Sequence, residues 1–441
     1  MCNGSIMDKL ISFSLPLMLS GVLQLMFNAV DIIVVGRFSG SQALAAVGST
    51  TALINIFTNL FIGISLGANV LAARYYAVGR AKEMSETVHT SIALALVSGV
   101  IMAVVGVVFS KTTLALMGTP SDVIGQSTLY MRIYFLGMPF FMIYNYGAAI
   151  LRAVGDTKRP LMFLVISGLV NVVLNMVLVI IFKLGVAGVA IGTVVSQLIS
   201  CVLLLRCLYL SKESYQLRFS KLKIKAAYLK PIFQVGIPSG IQSTVINFSN
   251  VLLQSSVNSF GSTAMAGYTA ANNILGFLYA AVNAVTQACM SFTSQNYGVR
   301  KFKRMDRVLR DCLVLTIGVS GVLGTGSYLI GTQIMQIYTQ DPAVIACGLE
   351  IISITTIPYF LCGVMDLFPG ALRGMGYSAA PMILSIIGTV GTRIFWIFVL
   401  FPQHRSLYFL FISYPGSWIF TIVMQAVCFW FVRRKMLAMA V

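Results

Sequence analysis

Three carboxylates stand in runs that are otherwise apolar. Asp31, Glu350 and Asp366 each fall well inside a long hydrophobic stretch, in a chain with only 12 acidic residues among 441. An ionisable group at the bilayer centre costs at least ~2.5–3.5 kcal/mol on insertion scales, so a carboxyl kept there is a candidate for binding a proton or a cation. The alternative is a carboxyl neutralised for packing. Asp31 has the most suggestive surroundings. With a rise of about 1.5 Å per residue, it lies ~6 Å below the outer end of its helix, with Asn175 ~10 Å and Thr193 ~12 Å below the same surface. A carboxyl, an amide and a hydroxyl from three helices are thus expected at comparable depth. Gln24, two turns before Asp31 on the same face, extends the polar strip inward, with Asn28 between them. Glu350 and Arg393 fall at matching depth on consecutive helices. An ion pair between them is expected as a structural lock that reduces the cost of burying both charges. Asp366, seven residues before Arg373, and Tyr134 are candidates for lining a substrate cleft, while Arg132 has no evident partner.

These side chains need a membrane scaffold. Of the residues, 58% are hydrophobic and 10% charged, against roughly 25% charged in soluble domains. The apolar runs are far longer than the roughly 10-residue alternating strands of a membrane barrel, which leaves helices as the spanning element. Hydropathy and breaker residues place twelve of them at approximately 10–35, 47–73, 88–110, 127–151, 160–182, 185–208, 231–258, 265–295, 311–334, 343–372, 379–401 and 407–432. The eight cysteines show no C-x-x-C and the two histidines, His89 and His404, are far apart, so no metal site is expected. The first apolar run is too long, and too polar in its middle, for a signal-peptide core.

The net charge of +18 is mainly a topology signal. With the N-terminus inside, 24 of the 30 Lys and Arg residues fall on the inner side and 4 on the outer, leaving Arg132 and Arg393 within spans. The positive-inside rule then puts both termini in the cytoplasm of a multi-pass inner-membrane protein. The same basic charge attracts anionic lipid; no nucleic-acid groove is implied.

The scaffold repeats. Residues 151–160, LRAVGDTKRP, and 372–381, LRGMGYSAAP, share L-R-x-x-G-x-x-x-x-P. Pro16 is matched by Pro238, and Pro139 by Pro358. The basic linker 215–230 divides an N-terminal lobe, 1–214, from a C-terminal lobe, 231–441. Six spans per lobe make the repeats parallel, related by a pseudo-two-fold along the membrane normal, with a central cleft expected between them. The chemistry does not repeat: Asp31 aligns near Leu253, and Asn175 with Trp396.

Three stretches resemble the multidrug and toxic compound extrusion (MATE) family. They are Pro16, Asp31, Gly36 and Arg37 as P-x14-D-x4-G-R, continuing through Gly40 to Gly48; the segment from Asn171 to Gln197; and the doubled L-R motif. The resemblance covers essentially the whole chain. It implies secondary active efflux of organic cations or amphipathic compounds, by antiport and alternating access, with no cofactor and not an enzyme. It gives Asp31, Asn175 and Thr193 ion-coupling roles, with Gln24 lining the pocket. The chain departs from the family where a second acid often follows the asparagine by one turn; here Val179 stands there. Another family acid position, in span 7, is Ile246. Sodium needs several oxygen ligands, whereas proton exchange needs one carboxyl, so protons are preferred over sodium. Pro16 is the expected bending point of the first span. The protein is expected to act as a monomer in contact with membrane lipids. Two rivals are a lipid-linked oligosaccharide flippase of the same superfamily, which would favour a larger, cationic cleft, and a membrane-embedded enzyme, for which no clustered nucleophile or metal site is evident.

Overall fold

Long apolar runs punctuated by glycine and proline become helices joined by short turns. The structure, a computed structural model, describes residues 1–440 and the side chains of all of these except residues 41, 52, 439 and 440. Among the described residues every regular element is helical. The first half holds α1 (Ile6–Phe38), α2 (Ser41–Val78), α3 (Ala81–Leu116), α4 (Ile124–Leu136), α5 (Met138–Ala153), α6 (Lys158–Asn175) and α7 (Gly185–Leu210). The second half holds α8 (Ala226–Asn258), α9 (Ser262–Gly298), α10 (Phe302–Leu329), the short α11 (Gly331–Tyr338), α12 (Pro342–Thr356), α13 (Tyr359–Gly374), α14 (Ala379–Ser385), α15 (Thr392–Phe395) and α16 (Leu407–Ala440).

Nine segments among the described residues are long and apolar enough to cross a bilayer by themselves, and two more crossings are the bent pairs α4/α5 and α12/α13. The more polar α8, 33 residues long, completes the expected twelve. The bent pairs correct the reading of 127–151 and 343–372 as continuous spans. They turn by 47° and 46° at their breaks, where Pro139 and Pro358 lack the N–H that would carry the helix through. The ninth span also ends early, at Leu329, with α11 following as a separate turn.

The doubled L-R motif is a doubled helix ending. Gly155 and Gly376 both have left-handed backbone, φ 99° and φ 94°. In each copy the glycine N–H returns to the arginine carbonyl and the next N–H to the leucine carbonyl. The distances are 3.0 and 2.9 Å for Gly155 and Asp156, and 2.8 and 2.9 Å for Gly376 and Tyr377. This 6→1 and 5→2 pairing is a Schellman ending, which satisfies the last carbonyls and needs a residue tolerant of positive φ. Pro160 and Pro381 then fall in the first turns of α6 and α14, where a missing N–H costs nothing.

The chain resolves into two compact units, residues 22–240 and residues 1–21 with 241–441. The division therefore falls inside α1 and α8 rather than at the basic linker, which stays with the first unit. Packing accounts for it. Leu10, Phe13 and Leu17 join Ala284, Val285, Ala288 and Phe292 in one core cluster, and the rings of Phe13 and Phe292 meet edge to face at 5.6 Å. In the unit 22–240, Gly63 and Gly67 of α2 lie so close to the backbone of α8 at Ile232, Gly236 and Gly240 that a Cβ on either would overlap it. Small residues allow such close approach within a membrane, where lipid provides no hydrophobic drive between helices.

Candidate functional site

Within the unit 22–240, three helices bring together the residues expected to share a depth. The Nδ2 of Asn175, at the end of α6, donates to Asp31 Oδ1 of α1 at 2.5 Å and to Asn171 Oδ1, one turn earlier, at 3.2 Å. Asn175 and Asn171 are buried, at 0% and 4% exposure, and Asp31 is half-buried. Thr193 of α7 stands beside the same carboxyl, although its hydroxyl donates to the Val189 carbonyl at 3.0 Å. Asp31 makes no ion pair with Lys or Arg among the described residues. It is a lone carboxyl served by a neutral donor, the Asn175 amide.

Local sequence explains the placement. Immediately after Asn175 the helix widens into a π turn, Met176–Ile181, a distortion concentrated at functional sites. Gly192, one residue before Thr193, brings α7 against α6, since a Cβ there would overlap Asn175 Oδ1. Val179, at the position of the missing second acid, is buried at 3% exposure against Gly188. It adds an apolar wall instead of an oxygen ligand.

Tyr134 stacks on Tyr130 with ring centroids 6.1 Å apart. Both tyrosines lie within electrostatic reach of Asp31, and Gln197 of α7 approaches the Tyr134 hydroxyl. Tyr130, Asn171 and Gln197 are not among the candidate site residues read from the sequence, although Asn171 and Gln197 bound the second family-like segment. The signal was available, because Asn171/Asn175, Tyr130/Tyr134 and Thr193/Gln197 are each spaced i, i+4 and double every polar position on its own face. Gln24 and Asn28 are exposed on α1. Arg132 is exposed too, its Nε donating to the Val107 carbonyl and Ser110 Oγ, both at 3.2 Å.

The remaining residues lie in the other unit. Pro16 is buried within α1, which runs through it as helix, and Ser20 Oγ donates to its carbonyl at 2.8 Å. Asp366 is half-buried near Tyr279 and Arg373, while Arg373 Nη2 donates to Gln242 Oε1 at 2.7 Å.

The expected Glu350–Arg393 pair is corrected. No ion pair among the described residues joins them. Arg393 Nη1 instead donates to Asn250 Oδ1 at 2.8 Å, and the guanidinium carbon stands 4.3 Å from the Tyr414 ring centroid. Equal depth fixed only the axial coordinate of the two residues, and an amide and an aromatic face occupy the side on which Arg393 points.

The MatE family profile matches the chain twice, over residues 16–177 and 238–399. The chain is 30% identical over 434 residues to "Probable multidrug resistance protein YoeA" of Bacillus subtilis (strain 168), covering 96% of this chain and 93% of that protein. It is 23% identical to "Multidrug export protein MepA" of Staphylococcus aureus (strain NCTC 8325 / PS 47), covering 87% and 85% of the two chains. Among solved structures, "Outward-facing conformation of a multidrug resistance MATE family transporter of the MOP superfamily" superposes with a TM-score of 0.89 at 20% identity, covering 99% of this chain and 97% of that one. "Crystal structure of MATE in the bent conformation" superposes with a TM-score of 0.87, also at 20% identity.

Proposed function

Because the chain belongs to the MatE family, whose members are multi-pass membrane transporters and not enzymes, we propose that it exports organic cations or amphipathic compounds by antiport against protons, through alternating access. The observation that carries the coupling reading is the lone carboxyl of Asp31, held by Asn175 within a membrane-spanning helix and paired with no cation among the described residues. Removing a carboxylate from water without pairing it is costly, and binding a proton relieves the cost. The Asn175 amide donates to Asp31 and Asn171 together and can serve either the carboxylate or the carbonyl oxygen of the protonated acid, so the site can gain or lose one proton without leaving the amide unpaired. Sodium would need several oxygens to replace its shell. Here the second acid position is Val179, buried and apolar.

On this reading the proton enters Asp31 from the outer side, removing the counter-charge that a bound cation requires. The drug leaves, and the inward-facing state returns the proton to the cytoplasm, where both termini lie. Gln24, Asn28, Tyr134 and Asp366 would contact substrate. Pro16 would allow α1 to bend, and the transporter would work as a monomer in the inner membrane without a cofactor.

The test is efflux of fluorescent organic cations from proteoliposomes under separately imposed proton and sodium gradients. Asp31→Asn should abolish proton-driven efflux while the protein remains folded and monodisperse. Full retained efflux in that variant, or efflux driven by sodium alone, would refute the coupling reading.

A further inference from the structure

Arg393 is a buried cation without a counter-charge. It lies 3% exposed on the four-residue helix α15, between two π segments, Ile386–Gly391 and Trp396–Leu400. A guanidinium stays charged in any protein environment, so the chain maintains a positive charge here at a desolvation cost. Two partners reduce that cost. Asn250 Oδ1 takes one Nη1 hydrogen bond, and Tyr414 offers its negative ring face to the guanidinium. The Nε–H is buried and makes no hydrogen bond, no Nη2 bond is formed, and no carboxylate pairs with the group among the described residues. Nε and one Nη form the edge that receives a carboxylate or another compact anion.

The surroundings supply donors rather than acceptors. The Asn250 amide oxygen is committed to Arg393, which leaves its NH2 to donate. Tyr268 and Tyr414 lie within electrostatic reach of each other and of the guanidinium, and each carries a hydroxyl that can donate. The register of Pro16 with Pro238 pairs Asn28 with Asn250 and Asp31 with Leu253, and the register of the doubled L-R motif pairs Asn171 with Thr392, the residue before Arg393. The counterpart of the acidic site thus has no carboxyl and carries a fixed positive charge.

We propose that Arg393, with Asn250 and the Tyr268–Tyr414 pair, forms a binding site for a small monovalent anion, either a halide or the carboxylate group of an organic solute. This site is independent of the proton-coupling reading, which concerns residues of the other unit.

Bromide is the direct probe, because it quenches tryptophan on contact and Trp418 meets the Tyr414 ring edge-on at 5.6 Å. Purified full-length protein in detergent would be titrated with sodium bromide against sodium gluconate at constant ionic strength, following tryptophan fluorescence and the thermal unfolding midpoint. The expected result is saturable quenching together with a raised midpoint. Both should weaken by about tenfold or more in apparent affinity in Arg393→Gln, as loss of a charged hydrogen-bond donor implies. Asn250→Asp covers the case in which Arg393→Gln fails to fold. It offers the guanidinium an internal carboxylate, so the bromide response should vanish while the fold is retained. Sodium benzoate identifies the source: competition with bromide assigns the site to carboxylates, and its absence restricts the site to halides. Quenching that never saturates, or a response in either folded variant equal to that of the unaltered protein, would mean an adventitious ion only and overturn the proposal.

Discussion

Alanine at Gly192 should damage the Asp31 site without altering any group that could bind a proton. In an exposed helix the replacement of glycine by alanine is favourable by up to ~1 kcal/mol, and Gly318 on α10 provides that reference because a Cβ there meets nothing within 4 Å. At Gly192 the new methyl would overlap Asn175 Oδ1. Asn175 cannot retreat freely, because its Nδ2 is held by Asp31 and Asn171. Overpacking of this kind costs roughly 1–3 kcal/mol, and the propensity gain is common to both helices, so Gly192→Ala and Gly318→Ala should differ by about 1–3 kcal/mol in stability. The assay is reversible unfolding in mixed detergent micelles, paired with proton-driven efflux. Efflux should fall in Gly192→Ala and remain intact in Gly318→Ala. A double-mutant cycle isolates the cause: in an Asn175→Ala background the added methyl has room, and a coupling of at least about 1 kcal/mol is expected between the two positions. Additive effects, or equal stability changes at Gly192 and Gly318, would refute the packing of α7 against Asn175.

Two further expectations concern the other unit. Glu350→Gln should leave unfolding stability unchanged within about 0.5 kcal/mol, whereas Asn250→Leu should lose roughly 1.5–3 kcal/mol by stripping a hydrogen bond from a buried guanidinium; the reverse order would restore the Glu350–Arg393 pair. Phe13→Ala should cost roughly 3–5 kcal/mol in the same measurement by emptying the contact with Phe292, and a neutral result would remove the reason for grouping the start of α1 with α9.

The elements were legible because each span is an unbroken apolar run, and a span in lipid satisfies its own backbone. The bends at Pro139 and Pro358 were not legible, since hydropathy averages across a break that leaves both sides apolar. The same distinction separates the two polar predictions. Depth along a helix follows from residue number, and for Asp31, Asn175 and Thr193 it was sufficient because Gly192 draws α6 and α7 together behind the carboxyl. For Glu350 and Arg393 the depths agreed just as well, but azimuth decided the partner, and the sequence offers no direct measure of azimuth between two helices. The i, i+4 repeats of Asn171/Asn175 and Thr193/Gln197 carry part of that information. They mark a continuous polar face, and Glu350 has no comparable polar companion four residues away on either side, where Ala346 and Ile354 stand.

The doubled motif now separates what duplication preserved from what it released. Both copies retain the same glycine-dependent helix ending, down to the pattern of two returning hydrogen bonds, because an alternative residue would have to adopt φ near 95° with a Cβ in the way. No such constraint acts on the polar positions above it. One half kept a carboxyl and neutral amides, a set whose charge can change by one proton. The other put leucine opposite that carboxyl and a guanidinium one residue past the position opposite Asn171, a charge that stays fixed. A titratable negative site and a permanent positive one respond differently to the membrane potential: moving one charge through 100 mV is worth ~2.3 kcal/mol, and only the first site can shed its charge before the step and regain it afterwards. The proposed proton-coupling role therefore goes with the carboxyl of the first half, and the proposed role in holding an anion with Arg393 of the second.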